Sequence, residues 1–118
     1  MSLHHKLCHV LGGAFGLPHA EVHTVILPHA VAYNAAGAPV AIDRVARALG
    51  ADHAAQALFD LAATNGAPTS LREIGMSYSD LEVAAEAAVK SPYWNPRPVE
   101  RDAIRALLED AYHGHRPS

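Results

Sequence analysis

Histidine is the residue whose number and spacing point to chemistry in this sequence. The chain has nine histidines in 118 residues, and five of them fall within the first 23 positions. His5 and His9 are four residues apart, and His19 and His23 repeat this spacing. Residues four apart lie one above the other on a helix, so each pair would present two imidazoles on one face. Imidazole binds zinc and iron, and it serves as an acid or a base near neutral pH.

The helix that carries the first histidine pair is predicted to be two-sided. Its apolar stripe consists of Leu3, Leu7, Val10 and Leu11. At about 100° per residue, His5 and His9 lie nearly opposite the centre of this stripe. On the next helix, His19 falls within the apolar quadrant and His23 at its edge. Because the intervening loop is short, the two helices should fold back on one another, so that four imidazoles could converge.

The histidine cluster also has a plainer interpretation, as surface residues enriched by chance. No carboxylate belongs to the cluster, because Glu21 points away from both His19 and His23 on a helix. A complete metal site would therefore need ligands from elsewhere. Cys8 is expected to be a buried, inert thiol. His29, which follows Pro28, is expected to be a structural histidine with a satisfied ring.

Turn signals divide the chain into helical segments, and no run of alternating residues predicts a strand. The predicted helices are Ser2–Leu11, Pro18–Tyr33, Val40–Leu49, Asp52–Thr64, Ser79–Lys90 and Val99–Tyr112. Their apolar stripes include Val45 and Leu49 on the third helix, Leu61 on the fourth, and Ile104, Leu107 and Leu108 on the last. The residues after Gly114 are expected to fray. Capping-box patterns start at Ser70, before a one-turn helix, and at Ser79. Pro28 should kink the second helix near Thr24. The sequence thus predicts one all-α domain over residues 1–118, with about six helices and no sheet.

Composition excludes several classes of function. Half of the residues are apolar and 18% are charged, which is typical of a folded domain. The net charge of −3, without a basic run, gives no support for nucleic-acid binding. No segment approaches the roughly 20 apolar residues that span a bilayer. Cys8 is the only cysteine, so a reducing cytoplasm is the expected compartment.

Four stretches of the sequence carry a resemblance to a known family. They are His5–Gly12, Leu17–Ala20, Leu27–His29 and Tyr33–Asn34. Together they resemble the signature of the iron-containing alcohol dehydrogenase superfamily. The stretches His4–His9, Pro18–Thr24 and Pro92–Pro98 more particularly resemble its maleylacetate reductase branch. The similarity extends from Ser2 to Pro117.

The resemblance implies a fold and a set of site residues. It implies the C-terminal helical domain of the dehydroquinate synthase-like fold, with the active site in a cleft beside a Rossmann-like nucleotide domain that this sequence lacks. His5 and His19 match two metal-ligand histidines, for iron or zinc, and His9 matches a histidine near the nicotinamide. The other two ligands, an Asp and a His, come from an earlier helix of the family. The branch is further implied to work without added metal, so the divalent ion can be absent.

The implied reaction is the reduction of 2-maleylacetate to 3-oxoadipate by NADH or NADPH. We expect His9 to be the proton donor or the partner of the enolate. Lys6, His23 and Arg97 are candidates for binding this small dicarboxylate substrate, because a dianion favours cations. Arg97 has a structural alternative, as a cap or an ion pair at the start of the last helix. Tyr93 and Trp94, in the proline-rich connector, are expected to be core or interface anchors.

Three hypotheses stay open from the sequence alone. The chain is part of an oxidoreductase, inactive by itself, that forms a homodimer or associates with a nucleotide-binding domain. Alternatively, it is a non-enzymatic helical domain that binds a transition metal through its histidines. The third hypothesis is a structural remnant that self-associates through apolar faces left uncovered.

Overall fold

The computed structural model describes residues 3–35, 37–90, 95 and 97–117, and the regular elements in these ranges are all helical. The six α-helices are α1 Leu3–Ala14, α2 His19–Asn34, α3 Pro39–Ala48, α4 Ala54–Thr64, α5 Leu81–Lys90 and α6 Arg101–His113. Two single 3-10 turns, Arg72–Ile74 and Tyr78–Asp80, lie between α4 and α5. No strand occurs in these ranges, so the all-α prediction is confirmed. The predicted anchors Tyr93 and Trp94 lie outside the described residues.

Helix α2 is the central element, and it packs against α1, α3, α4 and α6. Helix α5 joins the same core from the other side, where it packs on α6 and α1. The fully buried side chains of the core come mainly from the predicted stripes: Leu3, Leu7, Leu11, Val22, Ile26, Ile104 and Leu108. Helix α5 contributes the buried alanines Ala84, Ala85 and Ala88, whose small side chains permit a short distance to α6. Helix α2 runs through Pro28 as one element.

The connection between α1 and α2 is four residues long, as the short predicted loop requires. Helix α1 was expected to end at Gly12, but it continues to Ala14. Glycine inside a helix costs about 1 kcal/mol relative to alanine, and tertiary packing commonly outweighs that preference. The turn is made instead at Gly16, which has a positive φ of 64°. Leu17 then closes the loop by donating its N–H to the carbonyl of Leu11 at 3.4 Å.

Helices α3 and α4 form a peripheral pair, which contacts the rest of the fold mainly through α2. The sequence predicted that Val45, Leu49 and Leu61 belong to their buried stripes. This prediction is wrong: all three are exposed, Leu61 by 54%. Contact with α2 covers only one side of the pair, and the alanines take that side, with Ala46 and Ala54 among the buried residues.

The capping box predicted at Ser70 is formed. The carboxylate of Glu73 accepts the backbone N–H groups of Thr69 at 2.7 Å and of Ser70 at 2.9 Å. The hydroxyl of Ser70 accepts the N–H of Glu73 at 3.3 Å. These hydrogen bonds to the charged form, led by that from Thr69, hold the pKa of Glu73 below its usual value. The box predicted at Ser79 does not form, because the 3-10 turn Tyr78–Asp80 already runs into α5.

The end of the chain is tied down more firmly than the sequence suggested. Residues after Gly114 were expected to fray, but Pro117 is buried and Arg116 forms two bonds to the carboxylate of Asp60, at 2.9 and 2.7 Å. Gly114 ends α6 with a left-handed φ of 74°. A Cβ at this glycine would lie 3.0 Å from the Cβ of Ser70, so the turn packs too tightly for a side chain.

None of the described helices combines the length and the apolar character that crossing a bilayer needs.

Candidate functional site

The N-terminal half of α2 lies against α1 through its histidines. A Cβ on Gly12 would lie 3.3 Å from Nδ1 of His19, so the imidazole is seated where α1 has no side chain. One turn further along α2, the ring of His23 meets the ring of His4 edge-on, with 5.1 Å between centroids. Helix α2 therefore runs back along α1 in the antiparallel sense. Nε2 of His19 and Nε2 of His23 are 3.0 Å apart and share a hydrogen bond.

A compact group of three donors lies in the groove between the two helices: His4, Cys8 and His23. Their potential ligand atoms all lie within 4.8 Å of one another. Sγ of Cys8 is 3.5 Å from Nε2 of His4. The thiol is 1% exposed, and both imidazoles are half-buried. This group combines one sulfur and two nitrogens at a helix–helix interface.

Burial sets the protonation of this group. It lowers the pKa of His4, although a hydrogen bond with the backbone of His23 acts in the opposite direction. Burial also raises the pKa of Cys8 to about 11. His4 is therefore a neutral imidazole at physiological pH, with a free lone pair on one ring nitrogen. Cys8 is a protonated, unreactive thiol, as the sequence predicted.

His5 and His9 lie on the neighbouring, exposed stripe of α1. Neither imidazole makes a hydrogen bond or a ring contact with any residue that the structure describes. The structure thus brings His19 and His23 together and seats His19 at Gly12, on the face of α1 that carries His5 and His9. The shared site of His5 and His9 with these two residues stays a prediction. His4, which the sequence did not single out, contacts His23. Its signal in the sequence was the four-residue spacing to Cys8.

The two predicted substrate cations occupy different places. Lys6 lies half-buried on α1, beside His5. The guanidinium of Arg97 lies 4.0 Å above the centre of the Tyr33 ring and donates to the Tyr33 carbonyl at 3.2 Å. Tyr33 is fourteen residues beyond His19, about 21 Å along the helix axis. The structure therefore places Arg97 far from His19. Its guanidinium caps the end of α2 rather than the start of α6.

His29 differs from its prediction. It is buried, as expected for a structural histidine, but its Nε2 has no hydrogen-bond partner among the described residues. Burial lowers its pKa to about 4, against an opposing attraction from Asp110. The ring lies edge-on to Phe59, with 6.5 Å between centroids. His29, Tyr33, Arg97 and Asp110 line a cavity of about 280 Å³.

The fold and the histidine-bearing hairpin define the class of protein. The model of the C-terminal part of the Fe-containing alcohol dehydrogenase family matches residues 1–112, and the chain belongs to this family.

Within the family, the chain is similar to maleylacetate reductases. It is 65% identical to that of Burkholderia cepacia and 54% identical to that of Pseudomonas knackmussii, in each case over the whole chain. A crystal structure of maleylacetate reductase from Agrobacterium tumefaciens superposes with a TM-score of 0.95 at 52% identity, over 99% of this chain. The chain spans about a third of the length of these relatives: 34%, 34% and 33%.

Proposed function

We propose that this chain is the C-terminal helical domain of a maleylacetate reductase, over residues 1–118. The reaction would be the reduction of the carbon–carbon double bond of 2-maleylacetate by NADH or NADPH. The observation that carries the proposal is the exposed imidazole stripe of α1, which is followed on the same face by Gly12 with His19 seated on it. The imidazoles of His5 and His9 have no hydrogen-bond partner among the described residues, so they are available to a ligand. The high identity to maleylacetate reductases supports the choice of substrate.

His5 and His19 are the residues that would hold a metal ion. Both are exposed imidazoles, which are ligands suited to iron or zinc. Two ligands are half of an ordinary tetrahedral set, so the remaining ligands would come from another part of the enzyme. A bound divalent ion would act as a Lewis acid on a substrate oxygen.

His9 is the proposed catalytic residue. Reduction of the double bond requires a hydride at one carbon, a proton at its neighbour and stabilisation of the developing enolate charge. Exposed on the open stripe of α1, one turn from His5, His9 can reach a bound substrate and cofactor without first breaking a hydrogen bond. We assign it the proton transfer and the contact with the nicotinamide. The nucleotide itself would be bound mainly by a domain that corresponds to the other two thirds of the relatives.

Lys6 and His23 are the proposed substrate-binding residues. Lys6 follows His5 on α1, and His23 follows His19 by one turn of α2, so both border the His5–His9 stripe. A substrate with two carboxylates requires cations or N–H donors near both ends. Arg97 is left out of this assignment, because its guanidinium is stacked on Tyr33.

A chimera tests the proposed function. This chain would replace the corresponding third of the Burkholderia cepacia maleylacetate reductase, to which it is 65% identical. The chimera is expected to oxidise NADH in the presence of 2-maleylacetate. The chain alone is expected not to do so, and light scattering would show whether the chimera is a homodimer.

In the chimera, His9→Gln tests the proposed catalytic residue, and His53→Gln is the matched control. His53 is exposed and caps α4 through Nδ1, which accepts the N–H of Gln56 at 3.2 Å. Loss of a general acid costs about 10²–10⁴-fold in rate, so His9→Gln should lower kcat by that range and His53→Gln should not. A folded chimera that binds NADH but leaves 2-maleylacetate unreduced would contradict the proposal, as would full activity of His9→Gln.

A further inference from the structure

We propose that His4, Cys8 and His23 form a zinc site in the groove between α1 and α2, separate from the His5–His9 stripe. This inference is independent of the proposed function: it assigns a second site, with a thiolate ligand, to a different flank of α1. No residue is a metal ligand in both sites, and His23 is the one residue of this group that also has a proposed role in substrate binding.

The distances within the group suit a zinc ion. With zinc–sulfur and zinc–nitrogen bonds of about 2.3 and 2.0 Å at tetrahedral angles, a sulfur and a nitrogen lie about 3.5 Å apart. Sγ of Cys8 and Nε2 of His4 are already 3.5 Å apart. The remaining donor lies within 4.8 Å of these two, and rotation of the His23 ring can close the difference.

The scaffold holds two of the three ligands in register. His4 and Cys8 are one turn apart on α1, so their side chains lie one above the other. The leucines of the same helix, Leu3 and Leu7, are fully buried and fix its orientation against the core. His23 comes from the facing helix, where its ring meets that of His4 edge-on. A bound ion would therefore cross-link α1 to α2.

The chemistry of the donors selects the metal. A thiolate with two imidazoles is a soft to borderline set, which favours zinc over magnesium, calcium or manganese. The neutral His4 binds the ion with its lone pair and releases no proton. Cys8 must lose its thiol proton to solvent as the Zn–S bond forms, so binding of Zn²⁺ releases one proton at this residue. The ion supplies the positive charge that a buried thiolate otherwise lacks, and a water can complete the fourth position.

Titration of the 118-residue chain with Co²⁺, followed by competition with Zn²⁺, tests the site. Co²⁺ occupies tetrahedral zinc sites and gives a sulfur-to-metal charge-transfer band only when a thiolate is a ligand. We expect this band at one equivalent, its loss in Cys8→Ser, and its displacement by Zn²⁺. X-ray absorption at the zinc edge should then show one sulfur at about 2.3 Å with nitrogen or oxygen neighbours at about 2.0 Å.

Two further variants make the outcome specific. His4→Gln should weaken Zn²⁺ binding by at least about tenfold, the lower end of what even second-shell changes cause. If circular dichroism shows that Cys8→Ser does not fold, His4→Gln serves as the test in its place. The double variant His5→Ala/His9→Ala should leave the charge-transfer band unchanged.

Three results would overturn the site. They are the absence of a thiolate band in the wild-type chain, the persistence of the band in Cys8→Ser, and loss of the band in His5→Ala/His9→Ala. The last result would place the ion on the exposed stripe. None of these results bears on the reductase activity of the chimera, so failure of the zinc site and failure of the proposed function can be told apart.

Discussion

The two ends of helix α2 use polar residues in opposite ways. At its C-terminal end, the hydroxyl of Tyr33 donates to the Pro98 carbonyl at 2.6 Å, and Asn95 donates to the side chain of Asn34 at 2.7 Å. Asn95 also accepts the N–H of Leu3 at 3.0 Å, which joins the start of α1 to the same network. At the N-terminal end, imidazoles meet other imidazoles and a thiol. We call the first end, with its network of Tyr33, Asn34, Asn95 and Pro98, the latch. Its polar groups bond to one another, whereas the second end leaves donors for a ligand.

The difference shows how to separate structural from functional polar groups. A buried polar group that is fully paired within the chain contributes to stability and has no capacity left for a ligand. Arg97 is half-buried, and its guanidinium is stacked on the Tyr33 ring and hydrogen-bonded to the Tyr33 carbonyl, which gives it a structural role. His5 and His9 make no hydrogen bond with the described residues, and His19 and His23 share a single hydrogen bond, so a second ring nitrogen of each is left for a ligand. Substitutions at the latch should thus change stability, and substitutions at the histidine end should change binding or rate.

Tyr33→Ala should have the largest effect on stability. The ring is 6% exposed and carries both the hydrogen bond to Pro98 and the stacked guanidinium. Truncation of a buried aromatic residue costs about 3–5 kcal/mol. Urea denaturation would measure this loss, with His19→Ala as the matched change at the other end of α2, where less than about 0.5 kcal/mol is expected for an exposed residue. Equal losses in the free energy of unfolding for the two variants would show that the two ends of α2 do not differ in their contribution to stability.

His29 lies in the same half of α2 as the latch, but its Nε2 has no hydrogen-bond partner among the described residues. Its contribution to the free energy of unfolding should therefore depend on pH. Its pKa is lowered to about 4 in the folded chain and is near 6.5 when unfolded, so the unfolded chain takes up the proton first. The stability that this group contributes is therefore fully present above pH 6.5 and is lost as the pH falls towards 4. The whole shift corresponds to at most about 3 kcal/mol.

The variant His29→Leu tests this prediction. The wild-type free energy of unfolding should fall between pH 6.5 and 4, and the variant should show a flatter curve over the same interval. His4, whose pKa is also lowered, stays in both proteins and contributes the same slope to each. Parallel curves for the two proteins would show that His29 does not titrate as a buried group.

Arg97→Ala should cost about 1 kcal/mol of stability, from one hydrogen bond and one stacked cation. In the chimera, KM for 2-maleylacetate should stay within about twofold, because the guanidinium is used inside the latch. Lys6→Ala in the same background is the comparison, and it should raise KM if Lys6 binds a substrate carboxylate. A large rise in KM for Arg97→Ala would show that Arg97 binds the substrate after all.

Gly12→Ala should have the smallest effect on stability and the opposite sign. Alanine is favoured over glycine inside a helix by up to about 1 kcal/mol, so the melting temperature should rise. The new Cβ would lie 3.3 Å from Nδ1 of His19, which must then shift by a few tenths of an ångström. In the chimera we expect kcat to fall by up to about tenfold, since small misplacements at a site are costly. Gly13→Ala, with nothing within 4 Å of its Cβ, is the control that should leave kcat unchanged.

The sequence predicted the buried face of a helix correctly where a neighbouring helix packs against that face. The stripes of α1 and α6 are buried as predicted, because both helices pack on two or more neighbours. The same reasoning failed for Val45 and Leu61, since periodicity indicates an apolar face but not whether anything covers it. It also missed His53 as a helix cap, because histidine is not among the usual capping residues.

The candidate site was predicted in part. Spacing alone identified the two helices and the His19–His23 pair, whose hydrogen bond the structure contains. It could not decide which flank of α1 would meet α2, because that depends on how both helices pack on α5 and α6. A rotation of about 100°, one residue on a helical wheel, separates the His5–His9 stripe from the flank with His4 and Cys8. The role of each histidine is still a prediction.

The exposed His5–His9 pair has a practical consequence for spectroscopy. Two imidazoles one turn apart on an exposed stripe of a helix form a two-point chelate for Cu²⁺ held by iminodiacetate. The chain thus carries an attachment point for a paramagnetic label on α1, with little of the flexibility of a tethered nitroxide. Dipolar electron resonance between this label and a second one placed elsewhere in the chimera would measure the distance between the two positions. The same chelation would also retain the unmodified protein on an immobilised-metal resin.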